Sequence, residues 1–157
     1  MTKLLTLHSV SYSLSVIKLL IAAAKQSGIN LLELINQGDD CGQTILHNAV
    51  IRRHLDVVTY LHDFAGVQQF RQLVHVADKQ GNSALHYCRD PDIAALLVKA
   101  VAGEKKGKRK KANDARKEKL QGFIDLQNKY GQTASHLASE AGATDVLKIL
   151  LREKMSE

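Results

Sequence analysis

The sequence predicts an all-α fold, a solenoid of stacked helix-turn-helix units, on three observations. A short polar pattern returns along the chain, and apolar residues follow each copy at helical spacing. The apolar residues are mainly Leu, Ile, Val and Ala, with three Phe, four Tyr and no Trp, a balance that favours packed helices over a β-sandwich. A chain of 157 residues, 45% hydrophobic and 24% charged, can bury roughly 70% of its unfolded surface without a disulfide or metal staple.

The pattern reads Asp39-Asp40-Cys41-Gly42-Gln43-Thr44-Ile45-Leu46-His47-Asn48-Ala49, then Asp78-Lys79-Gln80-Gly81-Asn82-Ser83-Ala84-Leu85-His86-Tyr87-Cys88, then Asn128-Lys129-Tyr130-Gly131-Gln132-Thr133-Ala134-Ser135-His136-Leu137-Ala138. A weaker copy opens the chain at Thr6-Leu7-His8-Ser9-Val10. His8, His47 and His86 are 39 residues apart, and His86 to His136 is 50, the same period plus an insertion. Asp or Asn near Gly makes a tight turn, and the following Thr or Ser can cap a helix that begins with the His segment.

Each element follows in order. Leu14 to Lys25 is expected as a first helix that shields the next repeat, and Leu31 to Ile35 as an apolar connector into the Asp39 turn. The helix after Thr44 stops at Arg53-His54-Leu55, and Val57, Val58 and Leu61 continue the helical period in a second helix. Gln68 to His75 is expected to extend the connection to the Asp78 turn. The helix after Ser83 is cut short near Arg89-Asp90-Pro91-Asp92. Ala141 to Thr144 separates the last pair, whose second helix carries Val146, Leu147, Leu150 and Leu151. The expectation is one domain over 1–157, with repeats at 1–36, 37–75, 76–102 and 126–154 and a basic loop at 103–120.

These residues resemble the ankyrin repeat, whose signature is a Thr-Pro-Leu-His-x-Ala helix start after a Gly turn. The Pro of that signature is Ile45, Ala84 or Ala134 here, the Leu becomes Ser135 in the last copy, and the period exceeds the family's usual 33 or so. The resemblance implies that each repeated His hydrogen-bonds a turn rather than ligating a metal. It also makes Cys88, which stands where Ala49 and Ala138 stand, a small core residue. Cys41 falls in a turn.

No phosphate-binding Gly loop, Gly-x-Ser-x-Gly elbow or His-Glu-x-x-His helix is present in the sequence. No catalytic residue, cofactor or metal is expected, and the resemblance implies a non-enzymatic binding scaffold for a protein partner. Family practice places the contacts on the turn tips and the exposed side of the first helices, along a concave surface. Carried onto this sequence they are Asp40, Cys41, Gln43, Ile51 and Arg52, then Lys79, Gln80 and Asn82, then Lys129, Tyr130, Gln132 and Glu140, with Ile51 and Tyr130 as apolar anchors. Any single one of these could instead be a solvated turn residue, but as a set they point to binding.

The net charge of +6 is local. Residues 103 to 120 hold nine basic side chains (Lys105, Lys106, Lys108, Arg109, Lys110, Lys111, Arg116, Lys117, Lys119) against three acidic ones, and the remainder is neutral. The cluster Lys105 to Lys111 resembles a nuclear import signal and could also meet nucleic acid, an anionic lipid or an acidic protein; a solvated loop without a partner is the alternative. Disorder is expected over 103–119, with a helix from Ala112 toward Phe123 as the rival. The apolar stretch from Val16 to Ala24 is too short to span a membrane. A monomer in the cytoplasm, with nuclear entry through the basic cluster, is the expectation, or the host cell's cytoplasm or nucleus for a pathogen effector.

Overall fold

The computed structural model describes residues 13–28, 30–103 and 110–155; the copy around His8 and the lysines at 105, 106 and 108 with Arg109 lie outside the described residues. Two short helices open the described chain, α1 (Leu14–Gln26) and α2 (Leu31–Asn36). The first full repeat pairs α3 (Ile45–Ile51) with α4 (Leu55–His75). The second pairs a single 3-10 turn, Ala84–Tyr87, with α5 (Pro91–Ala102). After α6 (Lys110–Ile124) the last pair is α7 (Ala134–Glu140) with α8 (Thr144–Met155). Among the described residues sheet pairing is limited to one isolated antiparallel bridge, Ala77 with Ser83, so the all-α expectation holds.

The turns fall where the pattern places them. The first helices also stop where expected: α3 ends at Ile51, and the second repeat has only a 3-10 turn, because Asp90 caps a new helix by accepting from the N–H groups of Asp92 and Ile93 at 3.0 and 3.1 Å, with Pro91 at its first position. One continuous apolar core runs from Ile17 to Leu150, with Leu46, Val57, Val58, Leu61, Leu85, Ile93, Leu97 and Val146 all essentially inaccessible. Successive pairs contribute to it from both sides, as a stack of units too small to bury their own faces requires.

One expectation is refined and one corrected. Residues 68–75 lengthen the connection to the Asp78 turn, but as a further helix rather than a plain link: α4 breaks at Gly66, whose φ is 74°, and resumes as helix through His75, burying Phe70, Leu73 and Val74 completely. Residues 110–119 are not disordered. They form most of α6, whose Arg116 Nε donates to the carbonyl of Ala102 at 2.7 Å and whose far end buries Leu120, Phe123 and Ile124. The charged turns lack an apolar stripe of their own, but the burial just beyond them and the bond to α5 offset the entropy of ordering them.

Both share a cause. Counted back from the turn residues Asp39, Asp78 and Asn128, apolar side chains recur at eight, five and four positions: Leu31, Leu34, Ile35; Phe70, Leu73, Val74; Leu120, Phe123, Ile124. Each triplet lies on a third helix that follows a glycine at positive φ (Gly28, Gly66, Gly103) and leads into the next turn. The rings of His75 and Phe123 meet between two of these helices, 4.9 Å apart and tilted by 49°. The unit is therefore inner helix, outer helix and third helix, and this explains a period of 39 residues. The 50-residue interval arises between Gly103 and Asn128, a stretch 13 residues longer than that between Gly66 and Asp78, of which the longer α6 is one part.

Candidate functional site

The candidate surface is built from the three turns. In each, one side-chain oxygen gathers two backbone donors: Asp39 Oδ1 accepts from the N–H of Cys41 and Gln43, Asp78 Oδ1 from Gln80 and Asn82, and Asn128 Oδ1 from Tyr130 and Gln132, all at 2.9 Å. The turns are also bonded to one another. Lys79 N–H donates to the Cys41 carbonyl and Lys129 N–H to that of Gln80, both at 2.9 Å. A Cβ on Gly42 would lie 3.0 Å from the Lys79 nitrogen, and one on Gly81 3.1 Å from that of Lys129. Only glycine permits this approach, at φ of 79° and 82°.

The repeated histidines fix the turns from below. The N–H of Thr44 donates to His47 Nδ1 at 3.1 Å, so the neutral ring carries its proton on Nε2 and donates it to the Asn82 carbonyl at 3.1 Å. His86 does the same, accepting from Ser83 N–H and donating to the carbonyls of Leu126 and Gln132 at 3.1 and 3.2 Å. Histidine here replaces the Glu or Gln of a capping box and ties one repeat to the next. Burial lowers the pKa of both rings, against a smaller opposing pull from their carbonyl partners and the Asp78 carboxylate. His136 makes the same cap with Thr133 and is exposed.

A ladder of side chains crosses the repeats above the histidines. Gln43 Nε2 and Asn82 Nδ2 donate to the Tyr87 hydroxyl at 3.5 and 3.0 Å, and that hydroxyl donates to Asp78 Oδ2 at 2.5 Å. Asn128 Nδ2 donates to Asn82 Oδ1 and Gln132 Oε1 at 2.9 and 3.2 Å, and Gln132 Nε2 to Glu140 at 3.2 Å. Burial and the Asp78 bond raise the Tyr87 pKa, so its hydroxyl stays a donor. Among the described residues no buried side-chain N or O lacks a partner.

The expected site residues divide on this frame. Lys79, Lys129 and Tyr130 stand exposed on adjoining turns, Tyr130 at 73%. The two lysine stems pass over the glycine of the preceding turn. Asp40, Cys41, Arg52 and Glu140 are exposed, Ile51 is 41% exposed, and Gln43, Gln80 and Gln132 are half-buried. The Gln132–Glu140 bond puts the end of α7 on the same face as the third turn, and Ile51 holds the position in α3 that Glu140 holds in α7. Asn82 is a correction: it is buried, and its carbonyl, amide and side-chain oxygen are all engaged within the ladder, so it shapes the surface rather than presenting one. Tyr87 was not expected at all; the repeat pattern has Asn48 and Leu137 at its position and gives no sign of a ladder.

Of the basic segment, Lys110 and Lys111 open α6, Lys117 and Lys119 are exposed on it, and Arg116 is committed to α5. Cys88 is buried as expected, its thiol donating to the Asp90 carbonyl at 3.3 Å and its pKa pushed up to about 12 by burial. Among the described residues no cluster of His, Cys, Asp and Glu could hold a metal ion, and no helix is long and apolar enough to cross a membrane.

Residues 7–114 match the family model described as ankyrin repeats, three copies. Over 126 residues, 78% of the chain, the sequence is 32% identical to the nuclear factor NF-kappa-B p105 subunit of Gallus gallus, and the match spans only 10% of that protein. The crystal structure of the ankyrin repeat domain of Bcl-3, described as a unique member of the IkappaB protein family, superposes with a TM-score of 0.54 over 92% of this chain and 53% of that one, at 21% identity, a likeness of fold. The third turn, at Asn128, lies beyond the matched residues and is built like the other two.

Proposed function

The chain belongs to the ankyrin repeat family, and on that premise we propose that it is a non-enzymatic interaction module whose partner protein docks on the face formed by the turn tips and the ends of the first helices. The observation that carries this reading is the frame under that face. Lys79, Lys129 and Tyr130 project from backbone fixed by turn-to-turn hydrogen bonds and by the ladder beneath, so a partner meets side chains whose mounting needs no ordering on binding. Tyr130 and Ile51 supply apolar anchors, and Gln43, Gln80 and Gln132 with Asp40, Arg52 and Glu140 supply the polar rim. One relative is named as a subunit of nuclear factor NF-kappa-B, which makes another subunit of such a factor the first partner to test.

A second reading assigns the work to the basic segment, in nuclear import or in holding an anionic surface, because the whole net charge resides there. One pull-down experiment separates the two. The double change Lys79→Glu and Lys129→Glu is expected to weaken partner capture about tenfold or more while shifting stability by less than about 0.5 kcal/mol. Reversing Lys148 and Arg152 on α8 should not weaken capture. Changing Lys105, Lys106, Lys108 and Arg109 to Gln spares α6 and should also leave capture intact. If the Gln variant loses the partner and the tip variant keeps it, the basic segment is the site.

A further inference from the structure

On the opposite side of the repeats from the turn tips, where the inner-to-outer helix turns stack, Arg53, Arg89 and the start of α8 line a groove of about 230 Å³. We propose that this groove is an anion site that takes a phosphate monoester, held between the two guanidinium groups.

Arg53 comes from the α3–α4 turn of one repeat and Arg89 from the turn before α5 in the next, and both line the groove together with Gly142, Thr144 and Asp145 of the third. The Arg89 side chain is fixed in place, its Nη1 donating to the carbonyls of His86 and Cys88 at 3.2 Å each, which leaves its other guanidinium donors for a ligand. Among the described residues no ion pair engages either arginine, whereas Asp145, the carboxylate on the groove, is paired with Lys148 at 3.1 Å. Two arginines thus line one groove with no ion pair of their own, and an anion with two negative charges and several acceptor oxygens offers both a charge-assisted partner.

The backbone adds a separate indication that Arg53 is there for its side chain. Arg53 has φ of 60°, the one non-glycine residue at positive φ among the described residues, and the matching turn of the last repeat has Gly142 at 66°. The bonds around the two positions are the same: His54 N–H donates to the Ala49 carbonyl as Ala143 N–H does to that of Ala138. Glycine satisfies this left-handed cap without strain, so the arginine gains nothing from its backbone position. What it adds is a guanidinium at the groove. A volume of about 230 Å³ suits a phosphoryl group and is below the roughly 300 Å³ at which drug-sized ligand pockets begin.

The test uses the full chain, with inorganic phosphate and the peptide Ala-Ala-phosphoserine-Ala-Ala as probes, followed by amide NMR. Saturable shifts are expected at Gly142, Thr144 and Asp145 with both. Arg53→Gly should weaken both probes at least about tenfold, the loss of one charge-assisted hydrogen bond, while the melting temperature stays level or rises, so that loss of binding is not loss of fold. Arg89→Gln should weaken both as well. Tighter binding of the peptide than of phosphate assigns the groove to a phosphorylated protein segment; equal binding assigns it to a free phosphate compound. Shifts that do not saturate, that fall only on 110–124, or that persist at full affinity in Arg53→Gly overturn the proposal.

Discussion

His47 and His136 occupy the same position of the repeat and do different physical work. Both cap a helix start, but His47 is buried and donates Nε2–H across 35 residues to the Asn82 carbonyl, while His136 is exposed. The motif reveals the cap in each case; the bridge exists only where a following repeat supplies a carbonyl. Titration follows from the burial of His47 and His86. Burial depresses the pKa of His47 and His86 below the ordinary 6.5, so between that value and the folded-state pKa the unfolded chain binds more protons than the native one. Stability is then full above about pH 6.5 and falls as pH drops below it. Urea midpoints measured from pH 7.5 to 5.5 should decline. A midpoint that rises over this interval would contradict the burial of both rings.

At the scale of the element, the third helices were the least legible part of the sequence. The apolar triplets before Asp39, Asp78 and Asn128 are visible once aligned on the turns, yet two of them belong to helices too short to be assigned by period, and the third ends a charged run. Helix formation there depends on contacts remote in sequence: Phe123 meets His75, and Arg116 meets the end of α5. Phe123→Ala should therefore cost about 3 to 5 kcal/mol by chemical denaturation. It should also expose residues 110–119 to trypsin while the Asp39 and Asp78 turns remain folded. Early cleavage of the unaltered protein within 113–119 would instead restore the disordered loop.

For the whole molecule the question is how far the repeats unfold together. The core is continuous from Ile17 to Leu150, and hydrogen bonds from His47, His86 and Asn128 cross the boundaries between repeats. In a short array the interfaces between units outweigh the stability of any one unit. Helicity by circular dichroism and the intrinsic tyrosine fluorescence should thus report one coincident transition in urea. Two separated transitions would show that the Asn128 repeat melts independently.

The sequence by itself determined the repeat, the positions of the three turns, the pairing of helices and the family. All of these rest on local chemistry: Asx oxygens over their own backbone, glycine at positive φ, and apolar residues at helical spacing. It also marked most of the exposed tip residues, because turn residues that satisfy no core position face solvent. Tertiary structure decided the rest. Asn82 has the composition of a tip residue, but the neighbouring turns enclose it; Tyr87 becomes the centre of a ladder only because Gln43 and Asp78 come within reach. Residues 110–119 have the charge of a solvated loop and are helical because Arg116 bonds the end of α5 and Leu120, Phe123 and Ile124 are buried just beyond them. In each case the deciding partner sits in another element or another repeat, at a separation that no local pattern encodes.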